Sequence, residues 1–161
     1  MTEHRVVNTS PLIYLSRANL LELLGDGAER VIVPQAVSDE IFAWPTADAA
    51  QLAIRSTSWL TTVPEESIPS LVAAWDLGKG ETGVLTYGVS HPGSTLILDD
   101  LAARRCATSL NIPVRGTLGL VLRAKKRGLI NSAREALLQL RDAGMYLSDA
   151  VSDAALRQIG E

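Results

Sequence analysis

The chain has 161 residues, 47% of them hydrophobic and 20% charged, which is the size of one ordinary domain and ample material for a single buried core. A formal net charge of −3 argues against the broad electropositive surface of a non-specific DNA binder, and the single cysteine, Cys106, excludes an internal disulfide and a multi-cysteine zinc site. No apolar run approaches the roughly 18–20 residues that cross a bilayer, and Met1-Thr2-Glu3-His4-Arg5 lacks the segments of a signal peptide, so a cytoplasmic protein without a membrane partner is expected.

In chain order, a strand is predicted at Arg5 to Asn8, helical segments through Pro11 to Leu24, and a strand at Arg30 to Val33. Helices follow at Pro34 to Trp44 and Asp48 to Ser56, then an extended piece at Trp59 to Val63. Beyond the connection Pro64 to Ser70 come helices at Leu71 to Asp76 and Gly80 to Ser90, a strand at Thr95 to Leu98, and a helix at Asp100 to Leu110. A last strand at Ile112 to Arg115 leads to helices at Leu118 to Lys126, Ala133 to Ala143, and from Ser148 onward. Short β-branched runs alternating with helices imply an α/β fold with a parallel sheet covered on both faces. Nothing in the Pro and Gly distribution divides the chain, so residues 1–161 are read as one domain, with a core at about 5–130 and a helical extension at 131–161.

The two histidines, His4 and His91, have no neighbours at ligand spacing and read as solvated terminal or loop residues, so carboxylates must carry any catalysis. The first strand stops at Asn8-Thr9-Ser10-Pro11, a polar cluster at a strand end, where α/β proteins place their chemistry. In the helix after Pro34, the apolar stripe Val37, Ile41 and Trp44 carries Glu40 toward the buried side and leaves Asp39 solvated. Glu81 stands three and four residues before Val84 and Leu85, on the inward edge of its first helical turn. Leu96-Ile97-Leu98 ends in Asp99-Asp100; a helix N-cap explains one acid of this pair but does not readily explain both. Gly78-Lys79-Gly80-Glu81-Thr82-Gly83 lacks the spacing of a phosphate-binding P-loop and reads as a helix stop and restart that lets Glu81 come close to the site.

Taken in order, VVNTSPLIYL, VPQAVSDEI, LGKGETGVLTYG, LILDDLAARRCA and VRGTLGLVLRAKKRGLI resemble the PIN-domain superfamily, and in particular its VapC-like branch of small bacterial and archaeal proteins. The resemblance implies a three-layer α/β/α sandwich whose strand ends gather acids around Mg²⁺ or Mn²⁺. Carried over position by position, Asn8, Glu40, Glu81 and Asp99 fall on the four metal-binding positions, Asn8 where the family usually has Asp. Glu40, Glu81, Asp99 and Asp100 are the implied catalytic acids, Asp100 being a free carboxylate able to orient water, and Ser10 and Thr9 support the first position. Cleavage of a phosphodiester by water suits such hard oxygen ligands. Asn8 supplies an amide oxygen without formal charge, so weaker cation binding is expected.

Arg104 and Arg105, one turn after the acidic doublet, and Arg115, at the end of the last strand, are candidates to track nucleic-acid phosphates. The run Lys125-Lys126-Arg127 reads as a solvated helix end, Trp44, Trp59 and Trp75 as core or interface residues, and Cys106 as inert packing. The leading reading is a Mg²⁺-dependent endoribonuclease, the toxin half of a toxin–antitoxin pair; by resemblance, a homodimer and a small antitoxin covering an apolar groove are implied. Its rivals are a PIN-fold module that binds nucleic acid or protein without cutting, and a metal phosphohydrolase acting on a small molecule.

Overall fold

The computed structural model describes residues 3–45 and 47–161; Met1 and Thr2, at the start of the N-terminal stretch, and Thr46, in a connection, lie outside them. Five parallel strands form one sheet in the order β3-β2-β1-β4-β5: β1 Glu3–Val7, β2 Ala28–Pro34, β3 Leu60–Val63, β4 Ser94–Ile97 and β5 Val114–Arg115. Ten helices lie among the described residues: α1 Thr9–Arg17, α2 Glu22–Gly25, α3 Gln35–Phe42, α4 Ala49–Ser56, α5 Ser70–Ala73, α6 Lys79–Ser90, α7 Leu101–Ser109, α8 Thr117–Lys126, α9 Ala133–Asp142 and α10 Asp149–Gln158. None is long and apolar enough to cross a membrane.

Helices cover both faces of the sheet. On one face Leu96 of β4 packs against Gly88 of α6, and α3, α5 and α7 pack around α6. On the other, Arg5 of β1 is fully buried, and its guanidinium donates to the carbonyls of Leu24 at 2.7 Å and Leu23 at 3.3 Å in α2, against which α8 packs. Arg5 also pairs with Glu3 at 3.0 Å. Partial burial alone would raise the Glu3 carboxyl, but hydrogen bonds from Thr95 and Arg5 and the charges of Arg5 and Arg115 hold it below the ordinary range. Besides that arginine and the buried Ser94 and Thr95 of β4, the centre of the sheet is apolar: Val6, Val7, Val31, Ile32, Val33, Leu96 and Ile97 are all fully buried, as a sheet covered on both sides requires.

Several boundaries differ from the sequence pattern for identifiable reasons. The helical stretch Pro11 to Leu24 is broken at Asn19, which takes a left-handed conformation (φ 56°) that Asn tolerates, and Leu20 N–H turns back to the Leu15 carbonyl. Trp44 lies past the end of α3 and is 53% exposed, so it does not belong to the buried stripe of Val37 and Ile41. His4 is a half-buried strand residue, and His91 stacks on Tyr87 with ring centroids 3.9 Å apart. Cys106 is fully buried, and burial raises its thiol, as inert packing requires.

α9 packs on α8 and α1, and α10 packs on α8 and α9, with Leu137, Leu140 and Leu156 entering the main core. Glu161 ties this region together: its carboxylate accepts the N–H groups of Ala133 at 3.0 Å and Arg134 at 2.9 Å at the start of α9, and takes Lys125 at 2.9 Å. The Arg134 amide, the Lys125 ammonium and the Ala133 amide hold that carboxyl down to about 2. A carboxyl depressed on folding stabilises the protein above its unfolded value of 4.5 and loses that contribution as the pH falls toward about 2. Glu161→Gln is therefore expected to lower Tm at neutral pH, with the gap to wild type closing across that acid window in thermal melts; a pH-independent gap contradicts the assignment.

Candidate functional site

The chain runs outward from the central strand in both directions, β1 to β2 to β3 on one side and β4 to β5 on the other, so the connections part between β1 and β4. The crevice at the carboxyl ends of two such strands is where open α/β sheets bind ligands. Asn8 follows β1 and Asp99 follows β4, and Asn8 N–H donates to the Ile97 carbonyl at 3.1 Å across that junction. Asn8 occupies the N-cap position of α1 but makes no side-chain cap. Its amide instead reaches across the crevice, and Nδ2 donates to Glu81 Oε1 at 3.1 Å.

Glu40 arrives from α3. Its Oε2 accepts the Thr9 hydroxyl at 2.5 Å, and its Oε1 accepts the Gly80 N–H at 2.9 Å. Gly80 is essential to the approach: a Cβ there would fall 2.7 Å from Glu40 Oε2 and 2.9 Å from Asn8 Oδ1. Those two oxygens thus face the same backbone spot. Asn8 is 2% exposed, and its Oδ1 is buried without a hydrogen-bond donor. Such an unsatisfied acceptor is costly unless something electropositive fills the gap. Asn8, Glu40 and Glu81 are therefore brought together, with Thr9 bonded to Glu40 and Ser10 beside it in the first turn of α1. Asp39, as its position on the helix implies, stays exposed and bonds only Gln35 at 2.8 Å.

The acidic doublet does not join them. Asp99 is half-buried and caps α8: Oδ1 accepts Thr117 N–H at 2.7 Å and Oδ2 accepts the Thr117 hydroxyl at 2.6 Å. Asp100 is the N-cap of α7, accepting Ala103 N–H at 2.9 Å, rather than a free carboxylate. Capping therefore accounts for both acids, contrary to the expectation that it would cover only one. Among the described residues, no three of His, Cys, Asp and Glu stand close enough to hold an ion together. The donor set at the crevice is two carboxylates and one amide oxygen, all hard ligands of the kind that suit Mg²⁺ or Mn²⁺.

The three candidate arginines part ways. Arg104 donates to the Leu98 carbonyl at 3.0 Å and lies beside Asp99 at Gly116, where a Cβ would fall 2.7 Å from the guanidinium. Arg105 is exposed on α7. Arg115 turns away from the acids and pairs with Glu3 at 3.5 Å; burial and the nearby Arg123 and Arg5 charges lower its guanidinium, against the opposing pull of Glu3. The sequence reading passed over Thr117, buried and holding both oxygens of Asp99, although Gly116-Thr117 directly after a strand is a recognisable helix-start signal.

A five-stranded parallel sheet between helical layers, with acids gathered at its central switch point, defines a PIN-like α/β/α fold. The sequence pattern of a PIN domain family matches residues 4–161, and the chain belongs to that family. Among solved structures it is similar to the PIN domain endonuclease Utp24, at 12% identity and a TM-score of 0.51, over 70% of this chain and 84% of that one, a likeness of fold. No curated protein matches the sequence.

If Asp99 is principally a cap, Asp99→Ala should cost about 1–2 kcal/mol of unfolding free energy. Urea denaturation checks this; an unchanged midpoint would remove the capping role.

Proposed function

We propose that the protein is a metal-dependent endoribonuclease in which Asn8 Oδ1, Glu40 and Glu81 hold one Mg²⁺ or Mn²⁺. The observation that carries the reading is the crevice beside Gly80, where Asn8 Oδ1 is buried without a donor and Glu40 Oε2 approaches the same backbone spot. Membership of the PIN domain family supports it, as does the fold shared with an endonuclease. A cation bound there would neutralise nonbridging phosphate oxygens and acidify a water molecule.

The chain's own groups divide the remaining work. Thr9 and the Gly80 N–H hold the Glu40 carboxylate in place, each taking one of its oxygens. Asn8 Nδ2 holds the Glu81 carboxylate through Oε1, while Oε2 lies against Gly78 at the start of α6. Asp99, with both oxygens on Thr117, is left as the cap of α8. Arg104 beside it, and the exposed Arg105, are the cations proposed to meet substrate phosphates.

The wider setting is proposed from the family resemblance: a cytoplasmic toxin whose partners are RNA, a second copy of the chain and a small antitoxin. The exposed Leu52 of α4 and Leu71 of α5, each 65% accessible, and the exposed Ile68 provide apolar surface for such contacts. A second reading, a PIN module that binds without cutting, is favoured by one observation, the commitment of Asp99 and Asp100 to helix caps.

Cleavage of single-stranded RNA in Mg²⁺ or Mn²⁺ tests the proposal. Glu40→Gln and Glu81→Gln should each lose at least about 100-fold, and equal activity in both variants and wild type would sink it. Asn8→Asp gives a readout independent of turnover. A third carboxylate beside Glu81 should lower Tm without metal, and Mn²⁺ should raise the Tm of Asn8→Asp more than that of wild type. Equal responses to Mn²⁺ would remove Asn8 from the cation site.

A further inference from the structure

Immediately outside the acid cradle, a groove of about 460 Å³ runs between α1 and the end of α3, lined by Thr9, Ser10, Tyr14, Arg17, Glu40 and Trp44 among others. Two of these residues, Thr9 and Glu40, are bonded to each other within the cradle, so groove and cradle are continuous. Trp44 leaves half of its surface in solvent. Its exposed face opens on the groove that leads to Glu40.

The ring is not loose. The guanidinium carbon of Arg17 lies over it, 5.9 Å from the centroid, and Arg17 is itself fixed by Asp48 through bonds of 2.7 and 2.8 Å. Asp48 is held in turn as the N-cap of α4, accepting Ala50 N–H at 3.0 Å. An exposed indole held from one side by a tethered guanidinium, with a tyrosine in the same groove beside the carboxylate cradle, offers a π-face on which an unpaired base can stack.

We infer that Trp44, backed by Arg17, is a base-stacking shelf that holds a nucleotide of single-stranded RNA next to the Glu40 cradle. The inference rests on the nuclease reading and deepens it by naming the side chain that meets a base: only an unpaired base can lie on the indole. Because every base offers a π-face, the shelf selects strandedness more than sequence.

The test is fluorescence anisotropy of a short fluorescein-labelled single-stranded RNA with Ca²⁺ in place of Mg²⁺, alongside a series carrying one abasic residue at each position. Trp44→Ala should bind the intact RNA roughly tenfold more weakly, Trp44→Phe should keep most of the affinity, and Trp75→Ala, a second exposed tryptophan outside the groove, should change nothing. One abasic position should weaken wild type by a similar factor and leave Trp44→Ala unaffected. The emission lost in Trp44→Phe should be the emission that RNA quenches in wild type, a readout that holds even if the alanine variant folds poorly.

Equal affinity of Trp44→Ala and wild type would overturn the shelf and leave the nuclease reading intact. Conversion of a dimer to a monomer by Trp44→Ala, with RNA affinity unchanged, would also overturn it and make the groove a contact between copies of the chain. Wild type that neither binds nor cuts RNA would overturn both readings.

Discussion

The site depends on the parallel pairing of β1 with β4. That pairing places the end of the central strand, at Asn8, beside the end of the strand that leads to Asp99, and it is locked by the bond from Asn8 N–H to the Ile97 carbonyl. From this junction the backbone must leave in two directions. The Asn8 carbonyl accepts Leu12 N–H as α1 begins, while Asp99 and Asp100 start α8 and α7 respectively. Three helix starts meeting at one sheet edge concentrate unsatisfied N–H groups there, and carboxylates are the natural partners for them. The acidity of this edge thus has a structural cause that precedes any chemistry. An account of function has to separate the acids consumed by the helices from those left over.

Glu40 and Glu81 are the two acids that meet around Asn8. Glu40, from α3, serves a helix start as well, accepting the Gly80 N–H in the first turn of α6, and its other oxygen takes the Thr9 hydroxyl. Glu81 is on the first turn of α6, where the helix dipole favours it, and it accepts the side-chain amide N–H of Asn8. Two glutamates from different helices therefore meet around the side chain of a third segment, an arrangement that no local secondary-structure preference requires.

Much of this was legible in the sequence because periodicity reports burial. Alternating apolar runs and helical stripes gave the order of the strands and helices and pointed Glu40 inward and Asp39 outward, and the five motif blocks gave the fold. What periodicity cannot report is which donor a carboxylate will meet. Asp99 and Asp100 were adjacent acids at a strand end, and only the arrival of Thr117 from eighteen residues downstream decides that the first of them serves α8. The same blindness affected Arg115, whose position at a strand end suggested the site while its long side chain runs back along the sheet to Glu3. Trp44 was misplaced for a different reason: it continues the helical spacing of Val37 and Ile41, but α3 stops two residues before it.

Asn8 can now be weighed as a compromise in electrostatics. A third carboxylate at this buried position would lie within hydrogen-bonding distance of Glu81, where like charges repel and at least one proton must be retained or a cation supplied. The amide converts that repulsion into an attraction, since Nδ2 donates to Glu81, and it still presents a carbonyl oxygen toward Glu40. The cradle is therefore preorganised without metal, at the cost of one formal charge toward binding it. A carboxylate in place of Asn8 would set two like charges side by side; this chain instead joins the end of β1 to Glu81 by a hydrogen bond.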